Sequence, residues 1–306
     1  MAGSRARFFY DEAYDISWKG HAFPCGKYRC LARILAAEES RRKVAPPVPA
    51  GREDLLLAHE ASYLDRLEAM TADPDQGWFE FEAPCTPEVL DGFFAMTGGT
   101  IAAGRAAVAR NRSGKPGFAV NLGGGFHHAF PFKGEGFCAV NDIAVMLRVL
   151  RKEGAIRRAA VLDLDVHQGN GTAVHFARDS WCFTCSIHQE RNYPIKQRSD
   201  LDLGLPDGAD NGPYLEALGK ALAACMDFHP DLLCYVAGAD PYENDRLGGL
   251  ALDLAGLAER DRRVFDAFLG RGVPVVAVLA GGYAEREEEV VAIHLRMIRE
   301  GLARDP

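Results

Sequence analysis

Apolar residues along this chain fall into two patterns that take turns. Short unbroken hydrophobic runs stand near 6 to 10, 118 to 122, 159 to 164, 182 to 187, 232 to 237 and 274 to 280. Around them lie stretches whose apolar positions repeat at helical spacing, near 27 to 40, 54 to 70, 88 to 111, 139 to 153, 213 to 227, 254 to 269 and 285 to 303. A strand with one wet face alternates apolar with polar, and Leu232-Leu-Cys-Tyr-Val236 does not. Such runs are buried on both faces, which is the habit of parallel strands joined by crossover helices. The pattern predicts an α/β fold, an open parallel β-sheet with helices on both faces. The last helix opens on Glu287, Glu288 and Glu289 and closes among Arg299 and Arg304, as its dipole favours. No linker divides the chain, so a single domain over 1–306 is expected. Three irregular stretches, 41 to 53, 71 to 87 and 188 to 213, are long enough to serve as walls of an entrance.

Composition adds exclusions. With 48% hydrophobic and 25% charged residues the chain reads as a globular enzyme, and its net charge of −8 lacks the basic stripe of a nucleic-acid binder. No run approaches the length of a membrane span and no leader pattern opens the chain, so a cytoplasmic protein without a membrane partner is expected. The eight cysteines form no zinc-ribbon pairing. The one C-x-x-C, Cys182 to Cys185, lies inside a predicted strand and reads as core.

Chemistry gathers where the hydrophobic runs end. Ala160-Val-Leu-Asp163-Leu-Asp165-Val-His167 runs an apolar strand into two carboxylates and an imidazole, and strand alternation would point Asp163, Asp165 and His167 the same way. Another run ends in Gly123-Gly-Gly-Phe126-His127-His128, a third in Asp240, and a fourth in Gly281-Gly-Tyr283. Sites in open parallel sheets form beyond the carboxyl ends of strands, so these four tips can converge. Asp165, His167 and Asp240 make a two-carboxylate, one-imidazole donor set that leaves a position open on a divalent ion. Such a mixed N/O site accepts Zn²⁺ or Fe²⁺. His127 and His128 suit proton transfer near neutrality, with Asp163 and Asn170 as candidate orienting groups, and Tyr283 can donate to an oxyanion. His59, His175, His188, His229 and His294 read as structural, and His21 as an entrance residue. Glu82, Glu243 and Asp245 could form an acidic rim.

These motifs, with Gly134-Glu-Gly-Phe-Cys-Ala-Val-Asn141-Asp142 and Ala237-Gly-Ala-Asp-Pro241, resemble the histone deacetylase family of the arginase/deacetylase fold, in the family's order over nearly the whole chain. Gln168, Asn170 and Asp245-Arg-Leu-Gly-Gly249 look most like the class IV deacetylases and their bacterial relatives. The resemblance implies a three-layer fold and zinc on Asp165, His167 and Asp240. It implies His128 as main base and acid, His127 with Asp163 in support, and Tyr283 on the carbonyl. It places Gly136 and Phe137 along an acyl-lysine tunnel, Phe126 near the site, and a structural K⁺ on Asp163, Asp165, His167, Ser186 and Ile187. An amide at Asn170, where other classes more often carry aspartate, gives His128 a weaker orienting group. The implied reaction is hydrolysis of an acyl-lysine, acetyl or long-chain, on a protein or peptide. A small acylated amine such as an acetylpolyamine is the alternative, and a non-catalytic acyl-lysine binder the alternative of another class. A two-metal hydrolase is disfavoured because Pro241 and Tyr242 stand where a second carboxylate would be needed.

Overall fold

The computed structural model describes residues 7–16, 18, 23–38 and 44–306. Its eight strands are β1 (Phe8–Phe9), β2 (Val44–Ala45), β3 (Phe118–Asn121), β4 (Ala159–Asp163), β5 (Cys182–Gln189), β6 (Leu201–Leu205), β7 (Leu232–Val236) and β8 (Val275–Val278). They form one parallel sheet in the order β2-β1-β3-β8-β7-β4-β5-β6. Every residue of β3, β4, β7 and β8 is buried, as their unbroken hydrophobicity predicts. The longer helices are α1 (Gly26–Glu38), α2 (Arg52–Leu55), α3 (Ala61–Met70), α4 (Gly77–Glu80), α5 (Pro87–Arg112), α6 (Asp142–Lys152), α7 (Asn170–Phe176), α8 (Asn211–Asp227), α9 (Leu254–Phe268) and α10 (Glu287–Arg304), α2 and α4 being single turns.

Helices α5, α6 and α7 pack together on one face of the sheet, and α1, α8, α9 and α10 on the other, so three layers result. Side-chain caps set where several of them start. Thr86 accepts from the Val89 N–H at 3.3 Å, Asn141 from Ala144 at 2.9 Å and Asp253 from Gly256 at 2.7 Å. Among the described residues no helix is long and apolar enough to cross a membrane.

Four expectations need correction. The helix expected over 54 to 70 is α2 and α3 with a break at Leu56–Glu60, where His59 Nε2 accepts the N–H of Asn141 at 3.0 Å and the Glu60 N–H donates to Pro131 at 2.8 Å. These long-range bonds outweigh one more turn of local helix. The stretches 41 to 53 and 188 to 213 contain β2 and β6, short strands on the two sheet edges. The alternation Leu201-Asp-Leu-Gly-Leu205 is the period-two signal of a half-exposed edge. The 71 to 87 stretch holds α4 and one turn of 3-10 helix at Pro74–Gln76. Finally, β4 stops at Asp163, so Asp165 and His167 lie in the loop beyond it and owe their direction to that loop, with strand alternation playing no part. His21 lies outside the described residues.

Candidate metal and acyl-transfer site

Four loops leave the carboxyl ends of β3, β4, β7 and β8, neighbours in the middle of the sheet, and each is fastened by a carboxylate, all of them buried except the half-buried Asp245. After β3, Asp142 at the start of α6 accepts the N–H groups of Gly125, at 3.0 Å, and Phe126, at 2.8 Å, which delivers His127 and His128. After β4, Asp163 accepts the Asp165 N–H at 3.2 Å and Asp240 accepts the Val166 N–H at 2.8 Å. Asp165 in turn accepts from the N–H groups of His167, at 3.0 Å, and Gly281, at 2.9 Å. Asp245 accepts from Leu247 and Gly248 at 2.9 Å and from the Tyr283 N–H at 2.6 Å. Asp245 is therefore a loop anchor that positions Tyr283 and no part of an acidic rim. Glu82 does line the mouth, and Glu243 is exposed away from that cavity.

Asp165, His167 and Asp240 are buried, and one ligand atom from each lies within 4.8 Å of the others. His167 Nδ1 is 3.1 Å from Asp165 Oδ1 and 3.3 Å from Asp240 Oδ2. Asp240 Oδ2 makes no hydrogen bond, although the residue has no exposed surface. An unsatisfied buried carboxylate oxygen beside a second carboxylate and an imidazole fits a bound cation. A Cβ on Gly281 would lie 2.1 Å from Asp240 Oδ2 and 2.7 Å from Asp165 Oδ2, so only glycine leaves this cradle open. The donor set fits a divalent ion such as zinc.

Charge within the cluster agrees. Burial and the neighbouring Asp165 push Asp240 up to about 7. Burial opposes protonation of His167, but Asp165 and Asp240 hold it up to about 10. Asp165 stays well below the usual carboxylate range despite burial, because imidazoles of His127 and His167 face it. A cation bound here would compete with protons for His167 and Asp240.

The adjacent imidazoles differ sharply. His127 Nδ1 is 2.7 Å from Asp163 Oδ2, and although burial pulls it down, Asp163 and Asp165 hold it up to about 9. His128 Nδ1 is 2.8 Å from Asn170 Oδ1, an uncharged partner, and burial with the charges of His127 and His167 pushes it well below the ordinary histidine value. The two Nε2 atoms are 3.1 Å apart. At neutral pH, His128 is the member of the pair able to take a proton. Burial also raises Tyr283 well above the ordinary phenol value, which keeps its hydroxyl protonated and able to donate.

A cavity of about 210 Å³ leads to this centre past Gly136, Phe137, Glu82, Leu247 and Tyr193, with His128, His167 and Tyr283 at its floor. Gly136 is at φ 54°, and a Cβ there would stand 2.5 Å from the His128 ring. Phe126 lies deeper, in a space of about 20 Å³ shared with Phe23, Asp165 and Tyr283. Asp163 and Ser186 pair across β4 and β5 with Ile187 next in line, and Ser186 Oγ is 2.9 Å from His188 Nδ1. His59 and His175 pack ring to ring at 5.2 Å, and His294 is wholly buried in α10, all away from the cavity. His229, with φ 53°, follows α8.

Two contributors were not singled out from the sequence. Tyr193, in the 188 to 213 stretch, stands edge-on to His128 at 5.3 Å and bonds Glu82 Oε1 at 3.2 Å. Nothing local marks it apart from its place in a long loop. Lys27 is fully buried behind the site, donates to the Ala280 carbonyl at 2.7 Å, and is lowered by burial to about 8. It shares the buried stripe of α1 with Leu31 and Leu35, and a lysine at that spacing was the available signal.

Comparison with known proteins follows the same outline. Residues 21–297 match the histone deacetylase domain model. An uncharacterized protein of Picosynechococcus sp. is 39% identical over 279 residues, 90% of each chain. Histone deacetylase 2 of Arabidopsis thaliana is 30% identical over 317 residues, 98% of this chain and 80% of the relative. Among solved structures, acetylpolyamine aminohydrolase from Burkholderia pseudomallei superposes with a TM-score of 0.80 at 20% identity, covering 97% of this chain and 98% of that one. A deacetylase homologue from Aquifex aeolicus gives 0.79 at 24% identity, covering 97% and 84%. At those identities the two structures speak for the fold alone.

Proposed function

The chain belongs to the histone deacetylase family, and we propose that it forms one catalytic domain that hydrolyses the acetyl amide of acetyl-lysine in proteins or peptides. The carrying observation is the meeting of three metal donors, one with an unsatisfied oxygen, a neutral imidazole and a protonated phenol at the floor of one cavity. Zinc, or ferrous iron, held by Asp165, His167 and Asp240 would polarise the acyl carbonyl and acidify a water. His128 would take a proton from the attacking water as its oxygen bonds to the carbonyl carbon, and would give it to the amine nitrogen as the C–N bond breaks. His127, held by Asp163, would steady the negative charge that builds on the reacting oxygen. Tyr283 donates its hydroxyl proton in a hydrogen bond to the carbonyl oxygen as it becomes an oxyanion.

The small space at the floor, about 20 Å³ and bounded by Asp165 and His167 themselves, supports a short acyl group over a fatty chain. Around the mouth, Phe79 is 93% exposed and Ile195 86%, an apolar margin that supports a peptide flanking the lysine. Potassium behind Asp163 and Ser186 is part of this reading, as is a place in the cytoplasm, supported by eight unpaired cysteines. A second reading, a small acetylated polyamine, draws on one observation. The groove of about 490 Å³ beside the mouth carries Glu80, Glu82 and Glu135 against Lys133, a charge balance that suits a second amine. Zinc-loaded protein should be assayed on acetyl-lysine peptides, long-chain acyl-lysine peptides and acetylated polyamines, with Y283F as control. Turnover fastest on acetyl-lysine peptides and about a hundredfold slower in Y283F supports the proposal. Preference for the polyamine selects the second reading, and turnover untouched by Y283F refutes the assigned chemistry.

A further inference from the structure

Asn170 is the group His128 touches on the side away from His127, and the neighbours of Asn170 decide which tautomer that contact selects. Its Nδ2 donates to Oε1 of Glu135 at 2.6 Å, and its Oδ1 accepts the N–H of Gly171 at 2.9 Å. A carboxylate only accepts and a backbone N–H only donates, so the amide has one orientation. With Oδ1 toward His128, the 2.8 Å contact to Nδ1 is a donation from Nδ1–H. The lone pair then sits on Nε2, the nitrogen turned toward His127. Glu135 is held in its turn by a bridge to Cys138, and its second oxygen takes the ammonium of Lys133 at the groove margin. Only 20% of the Glu135 side chain is exposed, whereas 42% of the Lys133 side chain is.

We propose that Glu135 is a positioning residue for the deacetylation, a carboxylate one step removed that fixes the Asn170 amide and, through it, the Nδ1–H tautomer of His128. The relay Glu135, Asn170, His128 places behind an amide the negative charge that an orienting carboxylate would apply directly. The competing explanation is that Glu135 merely pairs with Lys133, a part-exposed contact worth little. This inference rests on the deacetylase reading for its kinetic consequence and on the hydrogen bonds alone for its structural one, which separates their tests.

Nitrogen NMR of the metal-free protein, labelled at histidine, reads the His128 tautomer without any turnover. Wild type should show Nδ1–H, and E135A a mixture of both tautomers. In zinc-loaded protein E135A should lose about tenfold in kcat with KM within about twofold. E135Q still accepts from Asn170 but lacks the charge. It should keep kcat within about threefold while the acid limb of kcat/KM moves to lower pH, because an imidazolium is less favoured without the carboxylate. A wild-type Nε2–H tautomer, or E135A with tautomer and kcat both unchanged, overturns the proposal. Wild-type protein inert on every acylated amine would sink the deacetylase reading, and the tautomer spectrum would still decide the role of Glu135.

Discussion

Two carboxylates with no exposed surface stand at opposite ends of the sheet, Asp240 beyond the carboxyl end of β7 and Asp305 at the amino end of β3. Asp305 is surrounded by donors. It takes the guanidinium of Arg110 in a fork, that of Arg7 at 3.1 Å, and the N–H groups of Gly117 at 3.1 Å and Phe118 at 2.7 Å. Burial would raise it, but Arg110 and these partners hold it below the ordinary carboxylate value. Asp240 has one backbone donor, a second carboxylate for a neighbour, and an oxygen with no hydrogen bond, and it is driven up to about 7. The same residue type in the same degree of burial is thus satisfied where it ties the chain terminus to the fold and left short where a cation can complete it. Between these two carboxylates, it is the unmet hydrogen-bonding need, more than burial or charge, that separates the functional one from the structural one.

The contrast yields expectations that fall in order of size. H128A, at the functional end, should cut kcat about a thousandfold, with melting temperature and metal content unchanged. D240N should weaken zinc binding by more than about a hundredfold while leaving the metal-free protein as stable as wild type or more so, since a charge is no longer buried. D305N should do the reverse. Stranding Arg110 and Arg7 should cost about 3 kcal/mol in denaturant unfolding, with zinc affinity untouched. If D240N destabilises and D305N does not, the distinction between the two ends fails. Smaller in size is the pH effect on metal loading. His167, held up to about 10, and Asp240, near 7, must both give up protons to bind a cation, so zinc affinity should rise from pH 6 to pH 8. Calorimetry in buffers of different ionisation heat would count the protons released, and an affinity flat across that range would contradict proton release from His167 and Asp240.

Much of this is legible in the sequence because the central strands are buried on both faces and each ends in chemistry. Unbroken apolar runs name β3, β4, β7 and β8, and the residues just past them name the site. The less legible parts depend on partners distant in the chain. The break between α2 and α3 answers to Asn141 and Pro131, and the two edge strands, β2 and β6, are too short or too wet for an apolar run. Asp165 and His167 are legible as donors from their chemistry and the resemblance, but strand alternation does not reach them, since loop bonds to Asp163 and Asp240 aim them. Asp245 looked like a rim acid and is an anchor, and the roles of Tyr193 and Glu135 depend on hydrogen bonds no local pattern reveals.

The most direct test is removal and return of the metal under assay on an acetyl-lysine peptide. Wild-type protein should lose turnover on chelation and regain it with one equivalent of zinc, while D240N regains nothing and D305N, assayed where it is folded, recovers as wild type does. Turnover that survives chelation, or a fully zinc-loaded wild type that leaves the peptide intact, would contradict the assignment of this site.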